Sequence, residues 1–202
     1  MKKLNLSFYD RNDAVTIAKE LLGKLLVTRF DHAITSGRIV ETEAYAGVTD
    51  KASHAFGGRR TSRTEVMFGH PGHAYVYLCY GIHYLFNVVV DQKEIPQAIL
   101  IRALEPVQGI PVMLRRTGKK IADHTLTRGP GNVSKALGIT TAQTGLSLLG
   151  KELFLASDDR EPEKENIIAT PRIGVDYAGE DAGLLYRFAI KNNPYVSAKQ
   201  RK

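Results

Sequence analysis

Two acidic side chains and a group of tyrosines in the first half of the chain have the chemical types needed to hydrolyse a bond to a flat ring. Glu41 and Glu43 occupy a run of strand-forming residues that ends at Tyr45, and residues 75–81 contain three further tyrosines. Side chains alternate between the two faces of a strand, so we expect Ile39, Glu41, Glu43 and Tyr45 to share one face. This alternation leaves open which glutamate acts.

One carboxylate in an aromatic pocket can perform two tasks in the hydrolysis of a glycosidic bond. It can take a proton from an attacking water, and it can stabilise the positive charge that develops on the sugar as the base departs. Two carboxylates are an alternative, because roughly 6.5 to 7 Å separates side chains two apart on a strand, which suits inverting sugar hydrolysis. A third interpretation is an exposed strand face whose glutamates pair with Arg38 or other basic residues.

Length and composition indicate one domain and a reducing compartment. The chain has 202 residues and no linker rich in Pro, Gly or Ser, so we expect one domain over residues 1–202. A single cysteine, Cys79, excludes an internal disulfide, a four-cysteine zinc site and an iron–sulfur cluster ligated by this chain alone. The N-terminus lacks the apolar region of a signal peptide, and the apolar runs are too short to span a bilayer. We therefore expect a cytoplasmic protein.

Positive charge exceeds negative charge and is segregated along the sequence. The formal net charge is +7 and the pI is about 9.5, which favours a polyanionic partner such as nucleic acid. Acidic side chains gather instead at residues 158–165. The basic side chains form three clusters, which are Arg59, Arg60 and Arg63 in a Gly-rich loop, then Arg115, Arg116, Lys119 and Lys120, and finally Lys199, Arg201 and Lys202.

The elements that must position these residues are a mixture of strands and helices. Helical periodicity with Asn12 or Asp13 as the N-cap predicts a helix over residues 13–22 that stops at Gly23. Tyr80 and Gly81 separate two β-rich runs and predict a tight hairpin with Tyr80 at its tip. Residues 46–73 are predicted to be mostly loop with a short helix near residues 64–68. Strands are predicted at residues 24–30, 37–45, 74–79, 82–90, 98–104, 153–156, 173–175 and 185–191, and further helices at 105–116 and 130–137.

A set of short motifs in a defined order resembles the alkyladenine (3-methyladenine) DNA glycosylase family in its compact bacterial form. Each motif alone is weak, but the ordered set with similar spacing is specific and covers nearly the whole chain. The motifs are Glu41-Thr42-Glu43-Ala44-Tyr45, Ser53-His54-Ala55-Phe56-Gly57-Gly58-Arg59, Met67-Phe68, Pro71-Gly72, Tyr75-Val76-Tyr77 through Tyr80-Gly81 to Asn87, Arg102-Ala103-Leu104-Glu105-Pro106, Gly129-Pro130, Arg172-Ile173-Gly174-Val175 and Asn193-Pro194-Tyr195-Val196-Ser197.

The resemblance implies a base-excision-repair enzyme that flips a damaged purine out of duplex DNA and hydrolyses its N-glycosidic bond. The implied substrates are of the 3-methyladenine, 7-methylguanine, hypoxanthine and ethenoadenine class. Glu43 matches the base that activates the water, and Arg102 matches a residue that helps hold this water and the sugar-phosphate region. The family gives Glu41 no comparable role. Leu100, two positions before Arg102, is expected to line the site.

The resemblance also implies which side chains hold the flipped base. Tyr45 and Tyr77 match residues that stack on the base, and His54 is expected on the opposite side. Asn87 matches a residue that discriminates against the exocyclic amine of guanine. Tyr80 matches a wedge that enters the minor groove and fills the space left by the nucleotide, in agreement with its predicted place at a hairpin tip.

Contacts to the DNA backbone are predicted at Arg59, Arg60, Arg63 and Gly131. Gly131 lies at the start of the predicted helix over residues 130–137, where free amides could face a phosphate. An ordinary helix start explains the same residues equally well.

The predicted elements and the resemblance together indicate an α+β fold, with a single mixed domain, a curved, largely antiparallel β-sheet flanked by helices, and a protruding β-hairpin. No matched motif contains a Schiff-base lysine, so we expect a monofunctional enzyme without lyase activity. We also expect a monomer that needs no cofactor or metal. We expect it to act on double-stranded DNA containing damaged purines in the bacterial cytoplasm, in association with the nucleoid. His70 and His73 lack further metal ligands, and Cys79 is expected to be an inert thiol. Two alternatives are a damage-binding module without chemistry and a glycoside or nucleoside hydrolase that uses Glu41 and Glu43 as a pair.

Overall fold

The computed structural model describes residues 1–197, which form one nine-stranded β-sheet with several helices. Every strand pair within these residues is antiparallel, so the predicted α+β fold is confirmed. The predicted basic cluster at Lys199, Arg201 and Lys202 lies outside the described residues. The strands are β1 (Lys2–Lys3), β2 (Leu25–Phe30), β3 (Ala33–Tyr45), β4 (Ala74–Cys79), β5 (His83–Val90), β6 (Gln97–Gln108), β7 (Leu153–Ser157), β8 (Ile167–Thr170) and β9 (Arg187–Ile190).

The long strand β3 is the centre of the sheet. The hydrogen-bonded order is β1-β7-β2-β3-β6-β5-β4, and β9, which pairs with β8, also pairs with β3. The first half of β3 pairs with β2, whereas Glu41 to Glu43 lie between β6 on one side and β9 on the other. The side chains of Glu41 and Glu43, which project from the face of the sheet, are fully buried. The interpretation of an exposed glutamate face is therefore wrong.

Four α-helices pack on the sheet or on each other. They are α1 (Leu6–Tyr9), α2 (Ala14–Glu20), α3 (Ile110–Thr117) and α4 (Pro130–Leu137). The side chain of Asp13 accepts hydrogen bonds from the amides of Val15 and Thr16, so Asp13 is the N-cap of α2. The apolar face of α2 enters the main core together with Met113 from α3 and Leu137 from α4. Short 3-10 helices cover Gly47–Thr49, Phe56–Gly58, Glu65–Phe68, His124–Leu126, Thr141–Gln143, Lys164–Asn166 and Asp176–Gly183.

Two of the predicted elements are wrong. Residues 105–108 continue β6 rather than forming the start of a helix, because they pair with the first half of β3, and α3 begins only after Gly109, whose φ is +80°. Residues 173–175 are irregular rather than a strand, since Gly174 takes a φ of +74°. The missed strand β8 lies just before them. Tertiary pairing decided these segments against their local propensities.

The strict alternation expected along β3 also fails at one point. The pairing of β3 with β6 has irregularities between Ile39 and Glu41 and between Glu41 and Thr42. Ile39 consequently packs in the main core with Ala44, on the face opposite Glu41 and Glu43, while Val40 packs in a separate cluster. A β-bulge inserts one extra residue and thereby moves the preceding side chains to the other face.

The strands β4 and β5 form the predicted hairpin at one edge of the sheet. Their turn contains Tyr80, Gly81 and Ile82, one residue more than predicted, and the amide of Ile82 donates a hydrogen bond to the carbonyl of Cys79. Tyr80 and Ile82 are 90% and 71% exposed. The hairpin therefore presents two uncovered apolar side chains at its tip. No helix in residues 1–197 is long and apolar enough to cross a membrane.

Candidate active site

A cavity of about 490 Å³ opens beside the β4–β5 hairpin. Its volume is in the range typical of small-molecule sites. Six of the predicted catalytic and base-pocket residues line this cavity, and Glu43 is the exception. The six are Tyr45, His54, Tyr77, Asn87, Leu100 and Arg102. Tyr80 and Gly131 also line it. The fold thus brings residues from five distant parts of the sequence to one place.

The register of the sheet explains how the site is assembled. Arg187, Glu43, Leu100, Asn87 and Tyr75 are successive cross-strand neighbours on β9, β3, β6, β5 and β4. Directly opposed residues point to the same face of an antiparallel sheet. The five side chains consequently form one row across the sheet, with Arg187 at one end, the Glu43 carboxylate next to it and Tyr75 at the other end.

Glu43 is fully buried directly behind the cavity wall. Its Oε2 accepts a hydrogen bond from the Tyr45 hydroxyl at 2.9 Å and lies 3.2 Å from Nη1 of Arg102. Its Oε1 accepts a hydrogen bond from the backbone amide of Ile173 at 2.8 Å. Tyr45, Arg102 and Ile173 all line the cavity. A carboxylate offers about four acceptor positions, so these three donors leave one on Oε1.

Glu41 has a different environment, although it shares the face of β3 with Glu43. Its Oε1 accepts hydrogen bonds from Nε of Arg187 at 2.6 Å, Nε of Arg102 at 3.1 Å and the hydroxyl of Ser197 at 2.9 Å, and its Oε2 accepts one from the amide of Ser197 at 2.6 Å. Burial alone would raise the pKa of Glu41, but Arg102 and Arg187 outweigh burial and lower it. Glu41 is therefore a charged carboxylate with a full set of partners and does not line the cavity.

The ring of Tyr45 is fixed from below by a buried ion pair. The guanidinium of Arg172 lies 4.9 Å from the centre of this ring, within the range of a cation–π contact. Arg172 donates to both carboxylate oxygens of Asp50, with 2.8 Å between Nη2 and Oδ1, and also to the carbonyl of Ala44. Burial, reinforced by the Glu43 charge, raises the pKa of Tyr45 well above its usual value. Tyr45 thus remains a neutral hydrogen-bond donor.

His54 faces the two tyrosines of β4. Its ring centre is 4.7 Å from that of Tyr77 in an edge-to-face arrangement, and its Nδ1 lies 2.7 Å from the Tyr75 hydroxyl. Burial, with smaller contributions from Arg63 and Arg59, lowers the pKa of His54 to about 4. The imidazole is therefore neutral near pH 7, with one nitrogen engaged by Tyr75.

Asn87 is held rigidly at the floor of the cavity. Its Nδ2 donates to the carbonyl of Tyr75 at 3.1 Å and to that of Leu85 at 3.2 Å. Both amide hydrogens are committed to the backbone, so the side-chain oxygen is the group that remains for a ligand.

The residues predicted to contact the DNA backbone differ in their neighbours. Arg60 pairs with Glu65 and Glu94, which neutralise much of its charge. The guanidinium of Arg63 lies 6.0 Å from the ring centre of Tyr77, at the cavity. A side chain at Gly131 would place its Cβ 2.7 Å from Nδ1 of His83, which explains the small residue there.

The other candidate features are not assembled into a second site. Nδ1 of His73 lies 2.9 Å from the carbonyl oxygen of His70, consistent with a local turn. Cys79 is half-buried and lines the cavity. In the part of the chain that the structure describes, no group of three or more His, Cys, Asp or Glu side chains is placed to hold a metal ion.

Sequence reasoning missed several residues that the structure brings to the site. Asp50 and Arg187 hydrogen bond to Arg172 and Glu41 next to the pocket, Ser197 accepts from Arg102, and Ile173 contributes its backbone amide to Glu43. Tyr177 lines the cavity with 69% of its surface exposed. Arg172, Ile173 and Ser197 occur in the motifs that carry the resemblance, but nothing in the sequence links them to Glu43.

Comparison with known proteins places the chain in a family. A model of the family described as methylpurine-DNA glycosylase (MPG) matches residues 7–194. The chain is also similar to bacterial relatives that carry the name "Putative 3-methyladenine DNA glycosylase", among them the following three. The relative from Clostridium acetobutylicum is 45% identical, with 98% of this chain and 99% of the relative covered. The relative from Bacillus cytotoxicus is 48% identical, with 94% and 97% covered, and that from Bacillus cereus strain G9842 is 49% identical, with 96% and 98% covered.

Proposed function

Because the chain belongs to the methylpurine-DNA glycosylase family, we propose that its cavity receives a damaged purine flipped out of duplex DNA and that Glu43 activates the water that releases this base. The protein is a DNA glycosylase, a hydrolase of base excision repair. The observation that supports the finer proposal is the position of Glu43 behind the cavity wall, in direct contact with Tyr45, Arg102 and Ile173.

The proposed reaction is a single displacement at the sugar. The water oxygen forms a bond to C1′ of the deoxyribose, and the bond from C1′ to the purine nitrogen breaks with its electron pair leaving on the base. The proton of the water passes to Glu43. A 3- or 7-alkylated purine is cationic before cleavage and leaves as a neutral base. The negative charge of Glu43 also stabilises the positive charge that develops on the sugar.

The aromatic walls account for the binding of the base. Flipping a nucleotide costs a few kcal/mol, and stacking on one aromatic side chain returns about 1 to 3 kcal/mol. Tyr45, Tyr77 and His54 offer such surfaces around the cavity, and an electron-rich tyrosine face favours a cationic base through a cation–π interaction. Tyr80 supplies a wedge for the gap in the duplex. These terms together are large enough to offset extrusion.

The proposed substrates are alkylated purines, hypoxanthine and ethenoadenine in double-stranded DNA. We propose that the rigidly held side chain of Asn87 occupies the space that the exocyclic amine of guanine requires, and that this steric overlap limits the entry of undamaged guanine. No lysine among the described residues lines the cavity, which supports base release without strand cleavage. We propose that the protein acts as a monomer on the DNA of a bacterial cytoplasm.

The contacts of Glu41 argue against a paired-carboxylate hydrolase. A second catalytic carboxylate must reach the substrate or a water, whereas four donors from Arg102, Arg187 and Ser197 saturate Glu41. Glu43 has three donors and keeps one acceptor position free. A damage-binding module without chemistry would use the same pocket, and activity measurements separate it from an enzyme.

The direct test uses duplexes that carry one 7-methylguanine or one hypoxanthine. The protein is incubated in excess over the duplex, and alkali then cleaves the strand wherever an abasic site has formed. We expect strand cleavage only after alkali. Intact duplex after prolonged incubation, with specific binding of the lesion, would favour the damage-binding module.

The role of Glu43 is tested by Glu43→Gln. The amide keeps the shape but cannot accept a proton, and loss of a general base typically slows a reaction by about 10²- to 10⁴-fold. We expect base release to fall by this amount while lesion-duplex binding is retained. The matched control is Glu65→Gln, which removes an exposed carboxylate outside the cavity and should react at the wild-type rate. Base release by Glu43→Gln at the wild-type rate would disprove the assignment.

A further inference from the structure

The C-terminal segment of the described chain is anchored against the site. Val196 is buried in a cluster with Val40 of β3, and its carbonyl accepts a hydrogen bond from Nε of Arg128 at 2.9 Å. These contacts hold the next residue, Ser197, against the buried carboxylate of Glu41. Ser197 ends one of the motifs that carry the family resemblance, Asn193-Pro194-Tyr195-Val196-Ser197. No residue of this motif lines the cavity.

Arg102 connects this segment to the reactive carboxylate. Its Nε donates to Glu41 at 3.1 Å, its Nη1 lies 3.2 Å from Oε2 of Glu43, and its Nη2 donates to the hydroxyl of Ser197 at 3.2 Å. Each guanidinium nitrogen therefore has a different partner, and the planar group has one orientation that satisfies all three. None of the three partners lines the cavity, and Glu43 lies directly behind its wall.

The charges of this cluster balance. Glu41 and Glu43 carry two negative charges, and Arg102 and Arg187 carry two positive charges. The other groups that face Glu41 are the neutral hydroxyl and amide of Ser197, and those that contact Glu43 are the neutral Tyr45 hydroxyl and the Ile173 amide. Glu43 also interacts electrostatically with the neutral Tyr77 and Tyr177 and with Arg172, whose charge Asp50 balances in a buried ion pair. Glu41 thus offsets positive charge that would otherwise act on Glu43 alone.

We infer that Glu41 and Ser197 are positioning residues, which orient Arg102 and limit the positive charge felt by Glu43. This inference rests on the proposed function of Glu43. Glu41 never contacts the substrate in this role. Glu41 shares the positive charge of Arg102, so Arg102 can hold Glu43 in place without neutralising it. The C-terminal segment is consequently part of the catalytic framework.

The first test is Glu41→Gln, which removes the charge and keeps the shape. The network then carries one unbalanced positive charge next to Glu43, which favours the charged form of that carboxylate and weakens it as a base. In single-turnover base release from a 7-methylguanine duplex, we expect the rate constant at pH 7.5 to fall by roughly 100-fold through misorientation of Arg102. The acid limb of the pH–rate profile should move to lower pH, which is the direction that an added positive charge produces.

The second test changes no charge. Ser197→Ala removes the hydroxyl that contacts both Glu41 and Arg102 but keeps the backbone amide bond to Glu41. We expect a rate constant roughly 10-fold lower, an unchanged acid limb and unchanged lesion-duplex binding. Ser197→Thr retains a hydroxyl and should restore the rate. Ser134→Ala is the matched control, because the hydroxyl of Ser134 is buried without a hydrogen-bond partner and does not line the cavity.

The outcomes separate this inference from the proposed function. If Glu41→Gln and Ser197→Ala release base at the wild-type rate with the wild-type pH profile, both residues are only structural and the inference is wrong. If Glu41→Gln does not fold, the comparison of Ser197→Ala with Ser197→Thr decides, and equal rates for these two variants overturn the inference. A wild-type rate in Glu43→Gln, or no base release by the unaltered protein, would instead refute the proposed function and this inference with it.

Discussion

Substitution of Tyr80 separates a role in DNA binding from a role in folding. Its side chain is 90% exposed at the tip of the β4–β5 hairpin. Substitution by alanine therefore removes almost no buried surface. The backbone of Tyr80 has a φ of +50°, and alanine adopts this left-handed conformation at a similar cost. We expect Tyr80→Ala to change the free energy of unfolding by less than about 0.5 kcal/mol.

The expected loss in binding follows from the proposed insertion of Tyr80 into the duplex. Stacking of one aromatic side chain on a base contributes about 1 to 3 kcal/mol. Its removal should raise the dissociation constant for a lesion duplex by roughly 5- to 150-fold. Tyr80→Phe keeps the ring and should bind within about 2-fold of wild type, since the stacking surface is the same. Ile121→Ala is the control, because Ile121 is also largely exposed but does not line the cavity.

The measurements are urea unfolding, fluorescence anisotropy with a hypoxanthine duplex, and single-turnover base release. The wedge assignment requires normal stability in Tyr80→Ala together with weakened binding and slower release at protein concentrations below saturation. Unchanged binding and activity would remove Tyr80 from the DNA interface. Loss of stability equal to the loss of binding energy would show that the hairpin tip has a structural role instead.

Three further predictions concern the surroundings of the site. Asp50→Asn breaks the buried ion pair with Arg172 under the ring of Tyr45. We expect the free energy of unfolding, measured in urea, to fall by about 3 to 5 kcal/mol. A loss below about 1 kcal/mol would contradict the geometry of the buried pair. The pKa of His54 is lowered from 6.5 to about 4, so the unfolded chain takes up the proton first and stability falls as the pH drops from 6.5 toward 4. Allowing for partial solvent screening, we expect the free energy of unfolding of His54→Gln to fall by about 2 kcal/mol less than that of the wild type over this pH range. An identical pH dependence in the variant and the wild type would show that His54 does not cause the decrease. Raising the salt concentration from 50 to 200 mM should weaken lesion-duplex binding by tens of fold if about three phosphates are contacted, whereas a flat salt dependence would speak against a basic DNA-binding face.

Several local features could be predicted because they depend on neighbouring residues alone. The helix α4 has the predicted bounds, since proline favours the first turn of a helix and Gly138 takes the left-handed conformation that ends it. The N-cap at Asp13 and the exposed position of Tyr80 follow from similarly local rules. Strand alternation relates residues only two positions apart, and it likewise placed Glu41 and Glu43 on one face.

Other features required the complete fold. Residues 105–108 form a strand because the start of β3 lies beside them, and the bulge before Glu41 moves Ile39 to the opposite face. Neither effect is visible in a local pattern, because both depend on which strand becomes the partner and in which register.

The sequence by itself determined that this protein has paired carboxylates on one strand, several tyrosines and a net positive charge, and its motifs indicated the family. It could not distinguish the environments of Glu41 and Glu43 by alternation, since that periodicity treats them alike. Only the tertiary structure separated them. It gave Glu41 the contacts of Arg187 and Ser197 and placed Glu43 against the cavity wall beside Tyr45. The physical reason is that hydrogen bonding, burial and charge balance are set by residues far away in the sequence, which meet only when β9 and the C-terminal segment pack onto β3.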